Sequence, residues 1–371
     1  MHAMQPAYEC SDNGGNGAGG DAASTSGRGT TADMSSLASM GLSGGVDATL
    51  LCYVLVDTAG SHAFVSRFDF NTAAIHAAGG AEALPVNALR AQLAGSRALF
   101  LNGYAFDELP GLALLAATEA ARSEGCALLF DPGPRASHLL ALAAKRGGGG
   151  QSDGDLGDVS DGSCDGVTGS DDVTRDETMA TRALLAGADV LLLTEEEAAD
   201  VTGIAGDNRA AAIALLNNGG GGGGDEWPHE RWVIIKRGAM GAMLARRGGE
   251  GEGEGEGEGG IETFESTAFA VDVRDTVGCG DSFAGALATA YLAGAHPSTA
   301  LAMANAMGAA TASAPGAGRN VGTHAAVRAL LARRASGDDA RAAEGDRSAA
   351  ADALELLDRQ GHQEGRAAVT A

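Results

Sequence analysis

Short, wholly apolar runs alternating with helix-forming stretches constrain most of this chain. Ala98–Asn102, Ala127–Asp131, Asp189–Leu193 and Trp232–Lys236 read as strands, and Ala242–Ala245 as a further one. Between them, Leu112–Glu124, Met179–Leu185, Glu195–Val201 and Arg209–Leu216 read as helices. Strands apolar on successive residues are buried on both faces, and helical connections make their neighbours parallel. The expected fold is α/β, a three-layer αβα sandwich around a mostly parallel sheet. Ligands of such sheets bind beyond the carboxyl ends of the strands. Asp131, Thr194, Lys236 and Asp275 all fall there, the last after a strand expected over Phe269–Val273.

The sharpest local feature is Asp275-Thr276-Val277-Gly278-Cys279-Gly280-Asp281-Ser282-Phe283. The small residues Ala284–Ala290 continue it as a helix. A helix start has amides without internal partners and carries partial positive charge. Glycines on either side of Cys279 let the backbone turn and approach a ligand closely. The amides of Gly278, Cys279 and Gly280 are therefore candidate donors to an anion, most readily phosphate. Asp281 beside them is a candidate base for an attacking hydroxyl. The combination describes phosphoryl transfer to an alcohol.

The whole string resembles the signature D-T-x-G-x-G-D-x-F of the ribokinase-like (PfkB-type) carbohydrate and nucleoside kinases, and every specified position matches. The resemblance implies a ribokinase-like sandwich with a small β-lid, and an enzyme that passes the γ-phosphate of ATP to a sugar or nucleoside hydroxyl. It implies Mg²⁺, and K⁺ as a monovalent cation. Thr276 then belongs to the nucleotide site. Lys236, Gly238 and Gly241 of Lys236-Arg237-Gly238-Ala239-Met240-Gly241 resemble a turn bordering the nucleotide, with Lys236 where many relatives have Thr. Asn305 resembles a nucleotide-facing amide, and Gly316 lies in a loop similar to the one closing over nucleotide and cation, with Asp275 near that cation. Glu197 matches the Glu of an N-x-x-E motif that organises Mg²⁺, while Thr194 replaces its Asn. Read locally, Thr194 and Glu197 are equally a helix capping box. Asp131–Arg135 resembles the family's D-P-N-x-R segment, with Gly133 for Asn.

Around this core, residues 1–45 are low in complexity and read as disordered. Leu50–Asp57 and Ala63–Phe68, joined by Thr58-Ala59-Gly60, read as a hairpin and as part of the β-lid. The kinase domain is expected over 46–335, with flexible insertions near 147–175, 219–225 and 248–260. Helices are expected over Ser298–Ala312 and Thr323–Arg334, and a polar tail over 336–371. The family's opening strands and its G-G-x-x-x-N sugar-binding region have no counterpart beyond Gly14-Gly15-Asn16. That leaves a second reading, a non-catalytic nucleotide-binding or interaction protein derived from the family.

Asp and Glu number 49 against 25 Lys and Arg, which argues against nucleic acid or an anionic membrane as partner. Five cysteines without metal-type spacing fit a reducing compartment, and no signal-peptide pattern or membrane-length apolar run is present. The expectation is an intracellular, cytoplasmic protein with a small-molecule partner and an open question of homodimerisation. No strand is followed by G-x-G-x-x-G, which sets a Rossmann dehydrogenase aside.

Overall fold

The architecture is that of a computed structural model, which describes residues 51–56, 62–67, 86–133, 169–218, 229–248, 260–316, 318–343 and 345–370. The tract 1–45, Gly14–Asn16, Thr58–Gly60, Arg135, the run 219–224 and most of the Gly–Glu repeat lie outside these residues. The chain divides into two compact units, Met1–Ala78 and Gly79–Ala371. The expected hairpin lies in the first of these units. It pairs β1 (Leu51–Val56) antiparallel with β2 (His62–Arg67), Leu51 opposite Arg67.

The second unit is built on a six-stranded sheet in sequential order. Its strands are β3 (Ala98–Asn102), β4 (Ala127–Asp131), β5 (Val190–Thr194), β6 (Trp232–Lys236), β7 (Ala242–Arg247) and β8 (Ile261–Ser266). Pairing from β3 to β6 is parallel, and β6–β7 and β7–β8 are antiparallel. Only β7 thus runs against the others. Successive residues of the apolar strands enter opposite faces. Leu129, Leu192, Ile234 and Leu244 join one buried cluster, and Leu128, Phe130, Leu191, Leu193, Val233 and Ile235 the other.

Helices cover both faces. One layer holds α1 (Val86–Leu93), α2 (Ala105–Glu108), α3 (Gly111–Ser123), α4 (Gly169–Gly187), α5 (Glu195–Thr202) and α6 (Asn208–Asn218). The other holds α7 (Cys279–Leu292), α8 (Pro297–Ala312), α9 (His324–Ala335) and α10 (Asp346–Thr370). Helix α4 begins inside the stretch expected as a flexible insertion. Among the described residues no helix is long and apolar enough to cross a membrane.

Two expectations are corrected. Phe269–Val273 is not a strand; the last strand is β8, just upstream. The reason lies in the backbone acceptors. Arg334 takes the carbonyls of Thr267 and Ala268 at 2.7 and 2.9 Å, and Arg333 takes that of Ala270, so no ladder forms. The segment after Ser336 is not simply a polar tail. Ala349, Ala350, Ala353, Leu356 and Leu357 of α10 are buried in the α7–α9 layer. Their spacing is one face of a helix.

Candidate active site

The entry to α7 is shaped by one carboxylate and one glycine. Asp275 Oδ1 accepts the Val277 amide at 3.0 Å, an Asx turn that starts the reversal. The Cys279 amide then donates to the Thr276 carbonyl at 3.2 Å, closing a four-residue turn. Gly278 sits third in it with φ 78° and ψ 0°, the left-handed position of a type II turn. No side chain caps the helix. Among the described residues the Gly278, Gly280 and Asp281 amides have no acceptor, whereas the Cys279 amide is taken by the Thr276 carbonyl. The Asp281 carboxylate is exposed in the first turn and meets no described partner. Burial, then the Asp275 carboxylate, pushes the Cys279 thiol up to about 11.

Asp275 also reaches the far side of the site. Its Oδ2 accepts the Gly316 amide at 2.7 Å, tying the loop after α8 to the α7 turn. The two residues expected near nucleotide and cation are thereby joined.

At the carboxyl ends of β4, β5 and β6, the Lys236 ammonium pairs with Asp131 at 2.6 Å across the end of β5. Thr194 and Glu197 form a reciprocal capping box: Thr194 N donates to Glu197 Oε2 at 2.8 Å, and Glu197 N to Thr194 Oγ1 at 3.2 Å. Burial raises the Glu197 carboxyl above its ordinary range, partly offset by the Thr194 amide and by Lys236. Among the described residues no three His, Cys, Asp or Glu side chains gather into a metal cluster.

Between these groups lies a cavity of about 470 Å³. Thr276, Cys279 and Gly280 line it from the α7 entry, Lys236, Gly238 and Gly241 from the β6–β7 turn, and Asn305 from α8. Asp281, Gly278, Glu197, Asp275 and Gly316 stand outside its lining. A Cβ on Gly280 would meet no atom within 4 Å, so the missing side chain leaves open space beside free amides. Gly241 is required for a different reason. At φ 95° its Cβ would overlap the Ser266 carbonyl oxygen and lie 2.7 Å from the Ala268 nitrogen. Asn305 Nδ2 donates to the same Ser266 carbonyl at 3.1 Å. Both residues therefore hold the 266–268 backbone that becomes a cavity wall.

That wall rests on residues the sequence reading passed over. The Arg334 guanidinium, wholly buried, lies 3.5 Å from the Phe269 ring centroid. It also binds Asp339 Oδ2 through Nε at 2.8 Å and Nη2 at 2.7 Å. Arg341, two residues on, lines the cavity itself. A charged residue among small ones at the end of a helix gave no motif; its only signal was an Arg–Asp pair five residues apart.

Residues 166–323 match the pfkB family carbohydrate kinases. That stretch of the chain is similar to this family. The match holds the α7 signature and most of the cavity lining, and ends before α9. The fold is similar to that of a putative ribokinase II from E.coli in its apo form, at 19% identity and TM-score 0.52, covering 77% of this chain and 72% of that one. The E.coli putative ribokinase II in complex with ATP and Mg²⁺ gives 19% identity and TM-score 0.50, covering 76% and 71%. No curated protein matches the chain.

Proposed function

We propose that this chain is an ATP-dependent kinase of the pfkB family that phosphorylates a hydroxyl of a sugar or nucleoside. The observation that carries the reading is the α7 entry: among the described residues, the amide of Gly280, which lines the cavity, and that of Asp281 beside it have no acceptor, and the Asp281 carboxylate in the same helical turn has no partner. Helix-terminal amides favour the charge that accumulates on a transferring phosphoryl group. Asp281 takes the proton of the attacking hydroxyl as the new O–P bond forms. The bond from the γ-phosphorus to the bridging oxygen breaks, and ADP leaves. A cavity of about 470 Å³ falls in the range of nucleotide-sized ligand sites.

Mg²⁺ would arrive with the nucleotide, neutralising phosphate charge; such ions need only one or two carboxylates and keep water. Glu197 is the acid assigned to it, through water, because its own oxygen already serves the Thr194 amide. Asp275, whose carboxylate accepts the Val277 and Gly316 amides, is the residue a K⁺ would neighbour. Thr276, Lys236, Gly238, Gly241 and Asn305 shape the nucleotide's surroundings, and Gly316 holds the loop beside them. A supply of ATP as substrate fits an intracellular enzyme.

The test is ADP release by the purified chain with ATP, Mg²⁺ and K⁺ against a panel of sugars and nucleosides. Acceptor-dependent release is expected, reduced about 10²–10⁴-fold in Asp281→Asn without a change in thermal midpoint. ATP binding with no acceptor-dependent release would overturn the reading in favour of a binding protein.

A further inference from the structure

We propose that Arg341, from the segment between α9 and α10, binds the phosphate chain of the nucleotide. The proposal rests on the kinase reading above and adds to it a residue outside the family-matched 166–323. Among the described residues, Lys236 and Arg341 are the charged side chains that line the cavity. Lys236 is already committed, its ammonium 2.6 Å from Asp131 and largely screened from solvent. Arg341 has no carboxylate partner among the described residues. Its guanidinium makes one long contact, Nη1 to the Ala239 carbonyl at 3.4 Å, at the outer edge of hydrogen bonding. That contact sets it against the Gly238–Gly241 turn, next to Lys236 in the chain.

The side chain is exposed, yet the backbone that carries it is firmly held. The Arg341 amide donates to Asp339 Oδ1 at 3.2 Å, and its carbonyl accepts Thr267 Oγ1 at 2.9 Å. The single Thr267 hydroxyl proton is shared with Asp346 Oδ2 at 2.7 Å, which also accepts the Ala343 amide at 2.8 Å. A loop pinned at several points, ending in an unneutralised guanidinium at a cavity, is suited to one class of ligand. The phosphate chain of a nucleoside di- or triphosphate carries several negative charges, and a guanidinium fork matches its oxygens. The α7 amides supply only partial charge. Arg341 supplies a full one.

Calorimetric titration of the full chain with ATP, ADP and adenosine tests this, using wild type, Arg341→Ala and Arg341→Lys. The expected result is a Kd for ATP and ADP raised about tenfold in Arg341→Ala. Adenosine affinity should be unchanged and Arg341→Lys should recover part of the loss. Displacement of ATP by inorganic tripolyphosphate should weaken in parallel. Wild-type ATP affinity in Arg341→Ala overturns the assignment and leaves the kinase reading standing. Equal losses for ATP and adenosine also overturn it, by moving Arg341 to the nucleoside half. A wild-type chain that binds no ATP overturns the kinase reading, and this assignment with it.

Discussion

Replacing Asp339 with Ala should cost far more than loss of an ordinary ion pair. Both side chains of the Arg334–Asp339 pair are fully buried, so solvent screening does not dilute the interaction. The substitution removes the acceptor of two guanidinium contacts at 2.7 and 2.8 Å and leaves the cation in place. The Thr267 and Ala268 carbonyls and the Phe269 ring still hold it there. A buried charge stripped of its partner costs about 3–5 kcal/mol, a fifth or more of a typical stability of about 5–15 kcal/mol. Urea unfolding followed by circular dichroism measures it as a drop in midpoint at constant slope. Replacing the pair together, Arg334→Met with Asp339→Leu, should recover only part, because the two carbonyls then lack a donor. Acid adds a second readout. Burial alone would raise the Asp339 carboxyl, but Arg334 and the Arg341 amide outweigh it and hold the carboxyl below its ordinary range. The resulting stabilisation is present above the unfolded value of about 4 and is lost as pH falls through the folded value. Asp339→Ala should flatten that acid limb. A loss under about 1 kcal/mol, or an acid limb identical to wild type, would refute the buried-pair reasoning.

Other outcomes follow from the same geometry. Gly241→Ala forces a Cβ into the Ser266–Ala268 backbone at positive φ and should cost about 3 kcal/mol or more, with ATP affinity falling too; a midpoint equal to wild type in urea would contradict this. Glu197→Gln keeps an oxygen for the Thr194 amide, whereas Glu197→Ala loses the capping box and should cost about 1 kcal/mol. Because the Glu197 carboxyl is raised in the fold, its contribution is full below the unfolded value and shrinks as pH rises, so Glu197→Gln should be neutral or stabilising at pH near 7. Thermal midpoints across pH decide it, and a destabilised Gln variant at neutral pH would count against the assignment. Cys279 should alkylate slowly with iodoacetamide at neutral pH despite lining the cavity, its rate rising toward a midpoint at about 11; a midpoint near 8.5, the free-thiol value, would show that burial does not govern it.

Much of the fold was legible because its strands are short apolar runs bounded by turn formers. Ala98–Asn102, Ala127–Asp131 and Trp232–Lys236 lie where expected to the residue. The α7 entry was legible too, since a glycine in a left-handed turn before a helix leaves a mark in sequence. The misses share a cause: they depend on partners distant in the chain. Phe269–Val273 has the composition of a strand, but arginines some 63–67 residues later claim the Ala270 carbonyl and those of Thr267 and Ala268 just before it. Asn305 could be placed at the site, yet its bond to Ser266 shows that it also braces the wall. Helix α10 carried a readable apolar spacing, masked by its many charged and polar residues. Arg341 offered no pattern, because only the folded loop brings it to the cavity.

The buried guanidinium also sets an order of assembly. Thr267 leaves the ribosome 67 residues before Arg334. At synthesis rates of about 5–20 residues per second, the cavity wall waits roughly 3–13 s for the donor that fixes it. Until then its carbonyls face solvent and the segment is free to sample extended conformations. The site is thus completed late, by translation of the last helices rather than by closure of the sheet. Released chains truncated near residue 330 should be cut by protease around 267–271 and the full chain should resist; equal cutting of both would show that the wall sets without its arginine.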